Sequence, residues 1–229
     1  MRGFIFRSNY FQTDFWVNLR LVLLLLTIRC SALKSSILIM EELINYFQQY
    51  EEWDPSASGV MRSFAREAIV RRYDILFEQG QVPEEMAYVS CGALSAIRSV
   101  PIDQERICYF MVAGDFVTDI DDFLNQRPVR VMIQAVVDSK IVSFNREAIR
   151  KLSKSLPLWD GLWTKIASRG LIETVRRRAP VAGSDPRTRC INFEQRYPGL
   201  IDQIPGKIVA SYLDINAATL SRMRGKGPL

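Results

Sequence analysis

The sequence predicts an α+β chain: an antiparallel β-roll (a cupin-like barrel), then one long helix, then a small helical domain built around a helix-turn-helix. Three observations carry that expectation. Short β-branched and aromatic runs recur from Ile69 to Phe144 with turn residues between them. Apolar residues then repeat at helical spacing from Leu158 to Val175, and Ile204 to Arg224 splits into two short amphipathic segments about a tight corner. At 229 residues, 48% of them hydrophobic, the chain has room for one large domain or two small ones.

Residues 1–39 differ from the rest of the chain. They hold Arg2, Arg7, Arg20, Arg29 and Lys34 against a single acid, Asp14, around an apolar run from Leu21 to Leu26. Arg20 and Arg29 bracket only eight residues, where a membrane-crossing helix needs roughly 20 apolar ones. Arg29 also stands where small residues would precede signal-peptide cleavage. The expectation is that Met40, whose following Leu43, Ile44 and Phe47 make an amphipathic helix, is the true start, and that residues 1–39 are an over-extended reading frame that adds nothing to the fold. Ser56 or Ser58 is the expected cap of a second helix running through Val60, Met61 and Phe64.

Strands are expected at Ile69 to Tyr73, Ile75 to Glu78, Met86 to Cys91, Leu94 to Val100, Arg106 to Val112, Val129 to Val137 and Ile141 to Phe144. Turn signals separate them at Gln79-Gly80, Cys91-Gly92, Pro101 to Gln104 and Asp138-Ser139. That spacing suits a small antiparallel barrel or roll. Asn145 caps the return to a helical period through Ile149 and Leu152. The long helix follows, bearing Trp159 and Trp163, which either cover this chain's own β-roll or meet a second copy. It closes on Arg176-Arg177-Arg178, a solvated end that complements the helix dipole. The domains expected are therefore 1–39, a β-roll at 40–154, a helix at 155–180 and a helix-turn-helix domain at 181–229.

In the last domain Val209 and Leu213 lie one turn apart on a first helix. Leu220 and Met223 do the same on a second, Ile215 fills the corner, and Ala210 permits close approach. Pro205 fits a first helical turn and Asn216 an N-cap. The second helix would turn Ala217, Ala218, Ser221 and Arg222 outward, short side chains around one arginine, as a helix in a DNA major groove requires. Arg222 is the expected base reader, with Lys207, Thr219, Ser221 and Arg224 on phosphates.

Charge agrees with that division. Residues 40–163 hold 13 basic and 19 acidic side chains, and residues 164–229 hold 12 basic and 5 acidic, so a body of −6 precedes an end of +7. Only the end suits a polyanion. The chain has no histidine, which removes the commonest general base and argues against an enzyme. Cys30, Cys91, Cys108 and Cys190 show no C-x-x-C spacing; zinc and iron–sulfur sites are not expected, and a reduced, cytoplasmic setting is. Asp115, Asp119, Asp121 and Asp122 gather carboxylates but lack the Gly and Glu of a calcium loop, and so read as a solvated acidic turn.

Several stretches resemble the Crp/Fnr superfamily of bacterial transcription regulators, in particular members of the Bacteroidota type. They are Ile75-Leu76-Phe77-Glu78-Gln79-Gly80, Cys91-Gly92-Ala93-Leu94, Gly114 to Asp119 with Phe123-Leu124, Ile133-Gln134-Ala135, and Ile208 to Arg224. The resemblance covers about residues 40 to 226. It implies an effector domain, a homodimer paired through the 155–180 helix, double-stranded DNA as partner, RNA polymerase as a further one, and no membrane.

In the cyclic-AMP-binding branch a Gly-Glu turn holds the ribose and an arginine pairs with the cyclic phosphate. Carried onto this chain, the pocket would comprise Gly114, Asp115, Thr118, Asp119, Val129 and Arg130. Val129 then stands in place of the phosphate arginine, with Arg130 one residue off and, in a strand, on the opposite face. Cyclic nucleotide, and any other cofactor, is therefore not expected. A rival reading is a β-roll sensor or interaction module whose helix-turn-helix is too eroded for DNA, since Asp214 takes the turn position where glycine is usual and Ala217-Ala218 replace the family's larger pair.

Overall fold

Two antiparallel sheets, rather than one closed barrel, form the middle of the chain in the computed structural model. The structure describes residues 37–49, 54–100, 104–117, 120–177 and 184–224. The chain divides into two units, Met1–Leu33 and Lys34–Leu229, and every described residue lies in the second. Two helices, α1 (Ile37–Gln48) and α2 (Pro55–Phe64), precede five strands: β1 (Arg66–Val70), β2 (Ile75–Phe77), β3 (Glu85–Cys91), β4 (Ala93–Val100) and β5 (Gln104–Val112). A short α3 (Ile120–Leu124) leads to β6 (Met132–Ala135) and β7 (Ser139–Asn145). Helices α4 (Arg146–Ser155), α5 (Trp159–Arg177), α6 (Pro186–Arg196), α7 (Leu200–Gln203), α8 (Gly206–Leu213) and α9 (Ala217–Arg224) complete the order.

The first sheet runs β1-β7-β3 and the second β2-β6-β4-β5. Alternation within the strands places the layers. Ala87, Val89 and Ile141 of the first sheet meet Leu94, Ala96, Met111, Ile133 and Ala135 of the second in the core between them. The intervening residues Tyr88, Val142 and Phe144 point the other way, onto α1, α2, α4 and α5. Strand β3 is consequently buried on both faces, with every residue from Met86 to Ser90 inaccessible. Gly92 allows the tight passage into β4: its φ is +98°, and a Cβ there would stand 2.6 Å from Ser139 Cα and 2.8 Å from Asp138 O.

Several expectations shift. Helix α1 starts at Ile37, so Met40 lies inside it, and Ser90 Oγ donates to Ile39 O at 2.9 Å. A boundary between residues 39 and 40 would cut the helix's first turn. Asp54, not Ser56 or Ser58, caps α2: its carboxylate accepts the Ser56 N–H at 2.8 Å, with Pro55 in the first turn where its missing donor costs nothing. The strand expected at Val129 to Val137 narrows to Met132–Ala135, and that expected at Ile69 to Tyr73 ends at Val70, where Asp74 accepts the Arg71 N–H at 2.9 Å. Asn145 caps α4 as expected, accepting the Ala148 N–H at 2.8 Å. Asp122, expected to be solvated, is buried. Cys108 and Cys190 are free thiols. Among the described residues no helix is long and apolar enough to cross a membrane.

The tryptophans of α5 divide between two roles. Trp159 is 2% exposed, edge-on to Phe47 at 6.2 Å and tilted against Phe144 at 6.3 Å. Trp163 stacks on it at 6.2 Å and stays half-buried. Trp159 thus packs within its own chain. Trp159→Ala should cost roughly 3–5 kcal/mol in urea unfolding, the range for a large buried aromatic, and Trp163→Ala distinctly less. Equal losses would place both tryptophans in one environment and contradict this division.

Candidate functional site

The last four helices pack on the outer face of the second sheet around one aromatic side chain. Phe110 of β5 is fully buried, its ring 5.8 Å from Phe193, 5.4 Å from Tyr197 and 5.2 Å from Tyr212, all near edge-to-face. Its backbone N–H donates to Tyr197 Oη at 3.4 Å. Val112 shares that face by period two. Ile107 joins them because the register slips between Ala96 and Ile97, leaving Cys108 as an extra residue on β5.

Helix α6 starts on Asp185, whose carboxylate accepts the Arg187 and Thr188 N–H groups at 2.9 and 3.2 Å and the Thr188 hydroxyl at 2.5 Å. The Thr188 hydroxyl, followed by these N–H donors, holds the Asp185 carboxyl below the usual carboxylate range. Val209, Ala210 and Leu213 of α8 and Leu220 of α9 are buried in one core with Cys190, Phe193 and Leu200, as the sequence pattern requires. Burial raises the Cys190 thiol above its ordinary pKa, so it stays protonated and acts as an apolar filler.

Between the helices Asp214 takes the left-handed conformation, φ 53° and ψ 48°. Its N–H and that of Ile215 close the end of α8, the latter donating to Ala210 O at 3.0 Å. Arg189 of α6 donates to Leu213 O at 3.0 Å and Asp214 O at 3.1 Å, and Arg106 of β5 pairs with the Asp214 carboxylate at 3.2 Å. Sequence reasoning missed both arginines, because their partners lie 24 to 108 residues away and leave no local signal. Asn216 caps α9, accepting the Ala218 N–H at 2.8 Å; Pro205 sits one residue before α8 rather than in its first turn.

Helix α9 exposes Ala217, Ala218, Ser221 and Arg222 on one face, with Thr219 half-buried beside them. Arg222 lies along its own helix, donating from Nε to Ala218 O and from a terminal nitrogen to Thr219 Oγ1, both at 3.3 Å. Lys207 is exposed at the start of α8. Arg224, expected to be free for phosphate, instead pairs with Asp202 of α7 at 2.5 Å.

Of the residues expected to hold an effector, Gly114, Asp115 and Val129 bond within the sheets and their turns. Gly114, at φ +95°, donates to Val89 O at 2.9 Å, and Asp115 Oδ2 accepts the Val112 N–H at 3.0 Å, so both close the turn after β5. Val129 is 6% exposed in the inter-sheet core, bonded through its backbone to Gln81 O and the Gly80 N–H at 2.8 Å each, and Arg130 faces solvent. Thr118 and Asp119 lie outside the described residues.

A family profile described as the cyclic nucleotide-binding domain matches residues 68–155. No curated protein matches the chain. Among solved structures, the c-di-GMP-responsive global regulator CLP of Xanthomonas campestris aligns at 15% identity over 76% of this chain and 91% of its own, with a TM-score of 0.59. FixK2 from Bradyrhizobium japonicum aligns at 15% identity over 71% and 83%, with a TM-score of 0.56. A cyclic nucleotide-binding domain from Methylobacillus flagellatus does so at 13% over 64% and 85%, with a TM-score of 0.55. Residues 68–155 therefore carry a cyclic nucleotide-binding domain fold, and the chain shares its fold with these proteins.

Proposed function

We propose that this chain is a sequence-specific regulator that binds double-stranded DNA as a homodimer, with a β-roll that takes no cyclic nucleotide. The observation that carries the reading is the solvent-facing surface of α9, where Ala217, Ala218 and Ser221 leave room for close approach around the single long donor Arg222. The basic balance of residues 164–229 supports it, as do the structural neighbours that are regulators. Asp214, which favoured the rival of an eroded motif, occupies the turn without breaking it, since its left-handed backbone is closed by Ile215 and braced by Arg189.

In this reading Arg222 swings from its resting contacts to guanine O6 and N7. Lys207, Thr219 and Ser221 hold phosphates, and Arg224 does so on leaving Asp202. Pairing of two copies through α5 would set half-sites about 10 base pairs apart. RNA polymerase would be the further partner of such a regulator. For the β-roll, Val129 supplies no charge to a cyclic phosphate, while Arg130 faces away from the core that Val129 enters.

Two measurements test these assignments. In fluorescence anisotropy with a selected DNA site, Arg222→Ala should cost roughly 1–3 kcal/mol and flatten preference at one base pair per half-site, while Lys207→Ala weakens all sequences alike. No salt-dependent binding to any duplex would return the rival, an interaction module without DNA. Titration calorimetry with cyclic AMP and cyclic GMP should give no heat of binding at physiological concentrations. Micromolar affinity would show that another cation replaces the missing arginine.

A further inference from the structure

A cleft of about 370 Å³ opens between α3, α4 and α5, lined by none of the residues expected to meet DNA or to hold an effector. Its floor is apolar. Phe123 and Leu124 come from α3, Ile149 from α4, and the stacked Trp159 and Trp163 from α5. Leu124 is 53% exposed there.

The rim is cationic for a reason legible in α4. Arg146, Arg150 and Lys154 recur at a spacing of four and share one stripe with Ile149 and Ser153, so all of them line the cleft. Glu147 and Lys151 pair with each other at 2.8 Å and do not line it. Arg146 is fixed with its guanidinium 4.3 Å over the Phe123 ring, donating to Phe123 O and, at 2.6 Å, to Pro83 O. Both acceptors are neutral carbonyls, so its charge is not cancelled. Asp160 is the one acid in the lining, and it accepts from Ser153 Oγ at 2.8 Å. Three cations against one carboxylate leave the cleft positive within a body that is otherwise acidic.

The geometry points to a binding site for a small amphipathic anion, with an acyl body on the Trp163–Leu124 floor and a terminal carboxylate at Arg150 and Lys154. The volume lies in the range of small-molecule sites, which run from about 300 to 1,000 Å³, and an apolar lining with a few convergent polar groups is their usual character. A macromolecular anion would not use so small an apolar floor, and an uncharged ligand would leave the cationic stripe unexplained.

Decanoate, with decanol as its neutral counterpart, probes the site through tryptophan fluorescence of the full chain. Decanoate should quench or shift the emission saturably, and decanol should bind at least tenfold more weakly, the worth of one charge-assisted contact. Arg150→Glu with Lys154→Glu, both exposed and replaceable without disturbing the core, should weaken decanoate at least tenfold and leave the circular dichroism unchanged. Trp163→Ala should weaken both ligands. Equal binding of decanoate and decanol, insensitivity to the double charge reversal, or no binding of either at millimolar concentration would overturn the assignment. So would sedimentation showing that the double reversal turns a dimer into monomers, because the cleft would then be covered by a second copy.

Discussion

The packing of Phe110 against Phe193, Tyr197 and Tyr212 joins the second sheet to the C-terminal helices. One β5 side chain ties the second sheet to helices α6 and α8 and to the segment between α6 and α7, and its burial leaves none of its ring to solvent. Three edge-to-face pairs of this kind are each worth roughly 0.5–1.5 kcal/mol beyond the area they bury. The exposed pair of Arg106 with Asp214 crosses the same junction but contributes little by comparison, because solvent screens it. Aromatic packing, then, fixes where the C-terminal helices sit, and the ion pair trims the turn between α8 and α9.

That junction also explains why the outer face of a sheet can be apolar. A two-sheet roll exposed to water would alternate apolar and polar residues along β5, yet Ile107, Phe110 and Val112 all face the helices. The bulge at Cys108 makes this possible by returning Ile107 to the covered side. On the opposite flank α1, α2, α4 and α5 cover the first sheet in the same manner, around Trp159. The result is four layers, helices on each side of a double sheet, with α9 on the outside and its short residues free of the core.

Much of this was legible in the sequence where the signal is local. The strand runs, the Asn145 and Asn216 caps and the shared core of Val209, Leu213 and Leu220 follow from spacing and side-chain chemistry within a few residues. What was not legible depends on contacts between distant segments. Which sheet a strand joins, and so whether the roll closes, is settled by pairings such as Val70 with Ser139 and Ile75 with Gln134. Asp54 won the α2 cap over the serines because Pro55 fixes the first turn one residue after it. Arg224 looked free because Asp202 is 22 residues away, and the cleft on α4 becomes visible only when α3 and α5 supply its other walls. At Val129 an apolar side chain is drawn into the core and the neighbouring Arg130 is left outside.

A double-mutant cycle on Phe110 and Tyr212 tests the central claim, that one aromatic cluster holds the C-terminal helices to the second sheet. Unfolding free energies of Phe110→Ala, Tyr212→Ala and the double variant should show a coupling of roughly 0.5–1.5 kcal/mol, as touching aromatic pairs do. Additive losses within about 0.3 kcal/mol would mean that the two residues do not meet in solution and that the junction is not built as described.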